Sequence, residues 1–232
     1  NVKQEGTTVI ENDLLKLTVA NKGGQIVEAL VKNYKSYDSL PLYLIKDANA
    51  SFNLNFGTTS NRTFNTKDLV FQPNLTKNGE NSVLSMRLKV SESNYLEYRY
   101  ELKPNNYMVG FAVRSAGLGS VINSSNKINL NYQLKAFRHE KSMKYENQMT
   151  ALIYEKEGNK KDDLSISGDD SEQESQISWF AFKQHFFSTI LIAETPFKTA
   201  NLSSQTLFKD EATDKVFTKN FEVSAPIELN NG

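Results

Sequence analysis

The two histidines are the side chains of this sequence best suited to proton transfer near neutral pH. His139 stands between Arg138 and Glu140, the one place where an imidazole, a guanidinium group and a carboxylate adjoin. A sugar epimerase needs a general acid and a general base, and a histidine with a carboxylate could supply them. Adjacent residues of an extended segment point to opposite faces, however, so His139 and Glu140 would not share a pocket. A surface or loop cluster is the preferred interpretation, with catalysis as the alternative.

His185 offers a second imidazole, between Gln184 and Phe186 at the junction of two apolar runs. We predict a turn histidine with one ring nitrogen bonded to the backbone. Cysteine is absent, which excludes disulfides, thiolate metal sites and cysteine nucleophiles. The aspartate pairs at 162–163 and 169–170 lack the ligand order of an EF-hand loop and predict a solvated acidic loop. We therefore expect no catalytic residue, no metal site and no cofactor.

A group of tyrosines could form a sugar-binding platform, because an aromatic ring can stack on the face of a pyranose. Its members are Tyr95, Tyr98, Tyr100, Tyr132 and Tyr145. Tyrosine is also common at half-buried strand positions. Ordinary sheet composition is therefore the preferred interpretation of these residues, and a sugar platform is the alternative.

The charge balance argues against nucleic-acid binding. The 27 Lys and Arg residues equal the 27 Asp and Glu residues in number, so no overall field attracts a polyanion. No apolar run approaches the ~20 residues of a transmembrane helix, and the first residues lack the basic-then-apolar pattern of a signal sequence. The chain as given is expected neither to span a membrane nor to carry its own export signal. A hydrophobic fraction of 38% can fill a core, and we expect one domain over residues 1–232.

Alternating apolar and polar residues predict antiparallel strands with one buried face along most of the chain. The predicted strands cover residues 13–20, 25–32, 52–57, 82–90, 95–102, 109–113, 128–136 and 215–223. The turn Asn21-Lys22-Gly23-Gly24 joins the first two as a hairpin. No window keeps the spacing of an amphipathic helix, so we predict an all-β sandwich or barrel with only short helices.

Residues 177–193 contain the only tryptophan of the chain and four phenylalanines. Because this segment is apolar on both faces, it predicts two buried strands joined at residues 183–185, with Trp179 buried between Phe180 and Phe182. Residues 158–174 are rich in Lys, Asp, Ser and Gly and predict an exposed loop. A domain linker is the less favoured alternative, because too few residues follow it to build a separate core.

Three segments resemble the large periplasmic domain of the YidC family of membrane-protein insertases. Residues 11–26, ENDLLKLTVANKGGQI, are similar to its opening strand, glycine turn and second strand. Residues 178–189, SWFAFKQHFFST, resemble its tryptophan, Lys/Gln-Gln and aromatic-Phe segment, and residues 95–113 resemble its central paired strands. Ser178 and Ala193-Glu194 stand where the family often has Gly and Pro. Residues 225–232 end where the family leads us to expect a last strand, an interfacial helix and a membrane span, so we expect an excised fragment.

The resemblance implies a β-supersandwich, the galactose mutarotase-like fold, but a shared fold does not transfer activity. Neither His139 nor His185 has the neighbourhood of the mutarotase site, so no catalytic residue is carried over. The implied function is that of a non-enzymatic periplasmic domain of an inner-membrane insertase, accessory to membrane protein insertion and folding. The implied partners are Sec translocon accessory subunits and nascent membrane proteins, through a surface that the sequence does not identify. The alternative is a mutarotase-like carbohydrate-binding protein or aldose epimerase.

Overall fold

The computed structural model describes residues 6–119, 121–122 and 128–229, and almost all of its regular structure is antiparallel β-sheet. Strands account for 63% of the residues and helix for 5%, which confirms the all-β prediction. The first sheet has the order β1 (Thr7–Glu11), β2 (Leu15–Ala20), β3 (Ile26–Lys35) and β4 (Pro41–Ile45). The second sheet has the order β10 (Val109–Ala116), β9 (Tyr95–Leu102), β8 (Asn81–Lys89) and β7 (Gln72–Asn78).

The third sheet has eight strands and forms the centre of the molecule. Its order is β13 (Lys160–Asp163), β12 (Ala151–Lys156), β14 (Asp170–Lys183), β15 (Ser188–Thr206), β16 (Phe217–Ile227), β11 (Ile128–Phe137), β5 (Ala50–Gly57) and β6 (Thr63–Asn65). A single-turn 3₁₀ helix (Thr66–Asp68) and one short helix, α1 (Met143–Met149), complete the described elements. Among the described residues, no helix has the length and apolar character needed to cross a membrane.

The hairpin predicted at residues 21–24 joins β2 to β3, and its glycines are required by geometry. Gly23 and Gly24 have φ values of 82° and 61°, a region that favours glycine. A Cβ atom on Gly24 would lie 3.0 Å from the ring of Phe71. The apolar face of β2, Leu15, Leu17 and Val19, is buried as its alternation predicts.

An aromatic core lies where β9 of the second sheet and the end of the β14–β15 hairpin pack against β5, β11 and β16 of the large sheet. Tyr98 of β9 and Phe52 of β5 meet edge to face with ring centroids 5.9 Å apart. Phe182 of β14 stacks on Phe221 of β16 at 5.3 Å and an interplanar angle of 10°, and Phe182 also lies 5.2 Å from Tyr132 of β11. Buried apolar residues from all three sheets form one core.

A break in the β14–β15 ladder folds this long hairpin over the core. Between the pairs Ile177↔Phe197 and Trp179↔Ile192, β14 advances by two residues and β15 by five. Gln176 takes a positive φ of 55° at the break, and Pro196, which has no N–H to donate, lies among the extra residues of β15. Residues 201–206 of β15 lie beside β16 in the sheet. Residues 188–192, together with their β14 partners, fold back and pack against the core-facing side of β16, where Phe182 stacks on Phe221.

Two sequence-based predictions are wrong in this region. Trp179 is half-buried, because it shares a face with Ala181 that points away from the core, while Phe180 and Phe182 point inward and are buried. Residues 158–174 do not form one loop. They include β13 and the start of β14, and both strands are paired into the large sheet, a pairing that also contradicts the linker alternative.

Candidate interaction surface

His139 is a buried structural residue in the loop between β11 and α1. Its side chain is 5% exposed, and Nε2 lies 2.9 Å from the carbonyl oxygen of Tyr43. Burial lowers the pKa of the His139 imidazole, although the bond to Tyr43 opposes this effect. Burial therefore favours the neutral form of this imidazole. Arg138 does not face it but stacks over the ring of Tyr37 and donates from Nε to the backbone oxygen of Glu140. The predicted loop position of these residues is confirmed, and within this loop His139 is buried.

Glu146 of α1 is the carboxylate that this loop uses. It is 1% exposed and accepts hydrogen bonds from the backbone N–H groups of His139 at 2.9 Å and Glu140 at 3.1 Å. Burial raises the pKa of the Glu146 carboxyl, and the bonds from these N–H groups limit the rise. Gln184 at the β14–β15 turn donates to the backbone oxygen of Phe137 and lies 3.4 Å from Glu146. This network ties the turn, α1 and the end of β11 together.

His185 lies in the β14–β15 turn, as predicted, but its ring is held by aromatic packing. Its centroid lies 5.2 Å from the ring of Tyr145 and 3.8 Å from that of Phe186. Its Nδ1 atom has no hydrogen-bond partner among the described residues, and the expected backbone bond is not found there. Among the described residues, no carboxylate forms a hydrogen bond with the His185 ring.

The tyrosines do not form an exposed platform. Tyr98 is fully buried and Tyr100 is 4% exposed, and Tyr132 packs on the core aromatics. Tyr95 lies under the guanidinium group of Arg87 at 4.4 Å. The ordinary sheet-packing interpretation is confirmed for these four residues, whereas Tyr145 lies on α1 and is 47% exposed.

The acidic pairs bind their own neighbours. Asp162 pairs with Lys156 at 2.9 Å, and Asp169 accepts a hydrogen bond of 2.8 Å from the backbone N–H of Thr206. Asp170 accepts one of 2.7 Å from the backbone N–H of Ser165. Within residues 6–119, 121–122 and 128–229, no group of three or more His, Asp or Glu side chains is arranged to hold a metal ion.

A polar cleft of about 460 Å³ lies on the outer face of the large sheet. Strand register aligns Asn201, Ser224, Asn131 and Asn53 in one row across β15, β16, β11 and β5. Several of these amides bond to neighbours on the same face, as in the 2.7 Å bond from Asn131 to Glu222. The cleft is lined by Asn, Gln, Ser, Lys, Leu, Ala and Pro. It therefore offers hydrogen bonds but no imidazole or paired carboxylates for sugar chemistry.

A second exposed feature is apolar and lies on the end of the β14–β15 hairpin. We define the hairpin face as Trp179, Ala181, Ile190 and Ile192. Register places Trp179 opposite Ile192 and Ala181 opposite Ile190, so the four side chains form two adjacent cross-strand pairs on one face. Ile190 and Ile192 are 54% and 57% exposed, while Trp179 is half-buried and Ala181 is buried, so the two isoleucines are the exposed members of the face. Exposed apolar side chains that lie next to one another form a patch, and such patches often mark a site of contact with another molecule.

The same segment of β15 has an unpaired backbone edge. Within the described chain, β16 pairs with residues 201–206 of β15, and no strand pairs with the side of residues 188–192 that faces away from β14. We call this side the hairpin edge. Leu164 N donates to Leu152 O at 3.0 Å, and Gln184 N donates to Phe187 O at 2.8 Å. Along an antiparallel ladder, hydrogen-bonded pairs alternate with non-bonded pairs, so these two bonds determine which pairs on either side of β14 are bonded.

The bonded pairs between β14 and β15 are therefore Phe182–Thr189 and Phe180–Leu191. The N–H and C=O groups of Ser188, Ile190 and Ile192 then point away from β14, toward the open side. The hairpin edge combines unpaired backbone groups with apolar side chains. The apolar pattern of this segment predicts a core position and not an exposed edge, because a run that is apolar on both faces does not reveal which face is outside.

Comparison with known proteins gives a family match over nearly the whole chain. Residues 7–231 match the family model described as the YidC periplasmic domain. The proteins named membrane protein insertase YidC from Bacteroides fragilis YCH46 and Parabacteroides distasonis are 35% and 36% identical to this chain over 87% and 98% of its length. The alignments cover 32% and 36% of those two proteins, so the chain spans about a third of their length.

Solved structures with a similar arrangement of strands are more distant. A galactose mutarotase-related enzyme from Lactobacillus acidophilus has a TM-score of 0.45 and 10% identity, with 98% of this chain and 88% of the other covered. A galactose mutarotase-like protein from Lactobacillus casei has a TM-score of 0.48 and 12% identity, with coverage of 98% and 90%.

Proposed function

Because this chain belongs to the family of YidC periplasmic domains, we propose that it is a non-catalytic accessory domain of an inner-membrane protein insertase. Its relatives are named membrane protein insertases, and it spans 32–36% of their length. We assign the insertion step to parts of the protein outside this chain. The role of the domain is to hold periplasmic segments of nascent membrane proteins while they fold, and to contact accessory subunits of the Sec translocon.

The observation that carries this proposal is the exposed hairpin face. Trp179, Ile190 and Ile192 offer apolar contact to a passing polypeptide, because burying apolar surface is the main driving force of such association. The same domain offers neither His139 nor His185 in a position to act on a substrate. Contact without chemistry is the role expected of a holding or docking domain.

The alternative of a sugar-active protein has less support. The polar cleft on the large sheet contains hydrogen-bonding amides but no His, Asp or Glu side chain in its lining. Epimerisation needs an acid and a base that flank the sugar ring. Of the tyrosines that could have stacked on a sugar, Tyr98, Tyr100 and Tyr132 are in the core and Tyr95 is covered by Arg87, while Tyr145 is 47% exposed but lies apart from them on α1.

Site-specific photo-crosslinking in cells tests the proposal. A benzophenone amino acid replaces Ile192, Phe186 or Asn131 in separate copies of the full-length insertase that carries this domain, and crosslinked products are identified by mass spectrometry. Newly synthesised membrane proteins and Sec subunits are expected among the products. If no position on the domain gives either product while the insertase remains active, the proposed function is wrong.

A further inference from the structure

The hairpin edge lacks the protective residues against pairing that most other sheet edges of the described chain contain. Natural edge strands are protected by charged residues, proline, glycine bulges or very short length. The other edge strands of the described residues have such features. Charged residues, proline or glycine occur in five of them: Glu11 in β1, Pro41 in β4, Pro73 and Lys77 in β7, Gly110 and Arg114 in β10, and charged residues throughout β13. The sixth, β6, is only three residues long. Residues 188–192, Ser-Thr-Ile-Leu-Ile, contain no charged residue, proline or glycine, so short length is the one such feature that they have.

The geometry limits what this edge can bind. Outward-pointing N–H and C=O groups at Ser188, Ile190 and Ile192 need partners at the spacing of another extended strand. The side chains of Ile190 and Ile192 flank the same edge on the exposed face. A helix or a lipid cannot satisfy both the backbone groups and the side chains. An added strand with apolar residues at alternate positions satisfies both.

We propose that residues 188–192 bind extended apolar segments of translocated polypeptides by strand addition. This inference rests on the proposed function and names the surface and the conformation of the bound substrate. Backbone hydrogen bonds carry little sequence information, so one edge can accept many segments, while Ile190 and Ile192 select for apolar residues at alternate positions. Such tolerance suits a domain that meets many different nascent proteins.

The short length of the edge favours a transient guest over a folded partner or a second copy of the chain. The unpaired run covers residues 188–192 and ends at the break that contains Pro196. A stable protein interface needs roughly 20–30 residues from each side. Two copies joined only through this edge would fall far below that size. An unfolded segment that is held and released requires no more than a short, weak contact.

The N–H of Ile190 provides a sharp test, because it points to the open side and takes no part in the β14 ladder. Ile190→Pro removes this donor and is compatible with an edge position, whereas Ile190→Val keeps the donor and the branched side chain. Each variant of this chain is mixed with a short labelled peptide in which valine alternates with threonine, and fluorescence anisotropy measures binding. A fully N-methylated peptide, which cannot donate backbone hydrogen bonds, is the matched control probe.

We expect Ile190→Pro to weaken peptide binding by about tenfold, Ile190→Val to leave it unchanged, and the N-methylated peptide not to bind. Equal binding by wild type and a folded Ile190→Pro variant would overturn the inference.

Hydrogen exchange on the wild type provides a second readout that needs no variant. Peptide should slow exchange at the amides of Ile190 and Ile192, while those of Thr189 and Leu191 are protected with or without it. No slowing at Ile190 and Ile192, or their protection through self-association without peptide, would refute strand addition. If crosslinks to nascent proteins form but these edge results are negative, strand addition fails while the accessory function stands.

Discussion

The two faces of the β14–β15 hairpin should contribute very differently to stability, and Phe182 with Ile190 tests this. Phe182 is 1% exposed and stacks on Phe221 at 5.3 Å, whereas Ile190 is 54% exposed. A buried phenylalanine removes roughly 150–250 Å² from contact with water, which at about 25 cal/mol per Å² is worth roughly 4–6 kcal/mol. The alanine side chain keeps only part of this buried area, and the missing ring leaves a cavity. We therefore expect Phe182→Ala to lower the free energy of unfolding by about 3–5 kcal/mol.

The matched control is Ile190→Thr, which keeps the branched side chain that favours a strand. Because more than half of Ile190 already meets water, its replacement should cost about 1 kcal/mol or less. Urea unfolding followed by far-ultraviolet circular dichroism measures both values, and Phe182→Ala should lower the melting temperature by roughly 6–20 °C. Similar losses for the two variants would refute the assignment of an inner and an outer face to this hairpin.

Three further predictions concern the residues singled out by chemistry. The pKa of Glu146 is raised in the folded state, so the stability that its protonated carboxyl contributes is present below the unfolded pKa near 4.5 and is lost as pH rises through the folded pKa. Glu146→Gln should flatten this part of the pH–stability curve, and an unchanged slope would contradict the prediction. Trp179 is half-buried, so acrylamide should quench its native fluorescence readily, and a strongly shielded, blue-shifted emission would place it in the core instead. Polarimetry on freshly dissolved galactose should show no acceleration of mutarotation; acceleration that disappears in His139→Ala or His185→Ala would restore the sugar-active alternative.

The sequence by itself determined the class of the fold and most of its strands. Alternation with a period of two residues predicts β9 at Tyr95–Leu102, and the structure has the same bounds. This works because successive side chains of a strand point to opposite faces, so a half-buried strand records its own orientation in its sequence. The glycine turn before β3 is equally local, since positive φ angles restrict the choice of residue. The resemblance of residues 11–26 and 178–189 identified the family, which the comparisons confirm.

The candidate surface, in contrast, was decided by tertiary structure. Trp179 and Phe180 are neighbours in the sequence, and only the packing of Phe180 and Phe182 on the aromatic core shows that Trp179 faces outward. Likewise, the Glu146 carboxylate accepts a hydrogen bond from the backbone N–H of His139. Glu146 lies on a short helix and His139 in a loop, and periodic sequence patterns do not predict contacts between such segments. The hairpin edge is free because β16 pairs with only the second half of β15. Pairing between distant strands depends on the whole packed arrangement, whereas sequence periodicity reports only which face of a single strand is apolar.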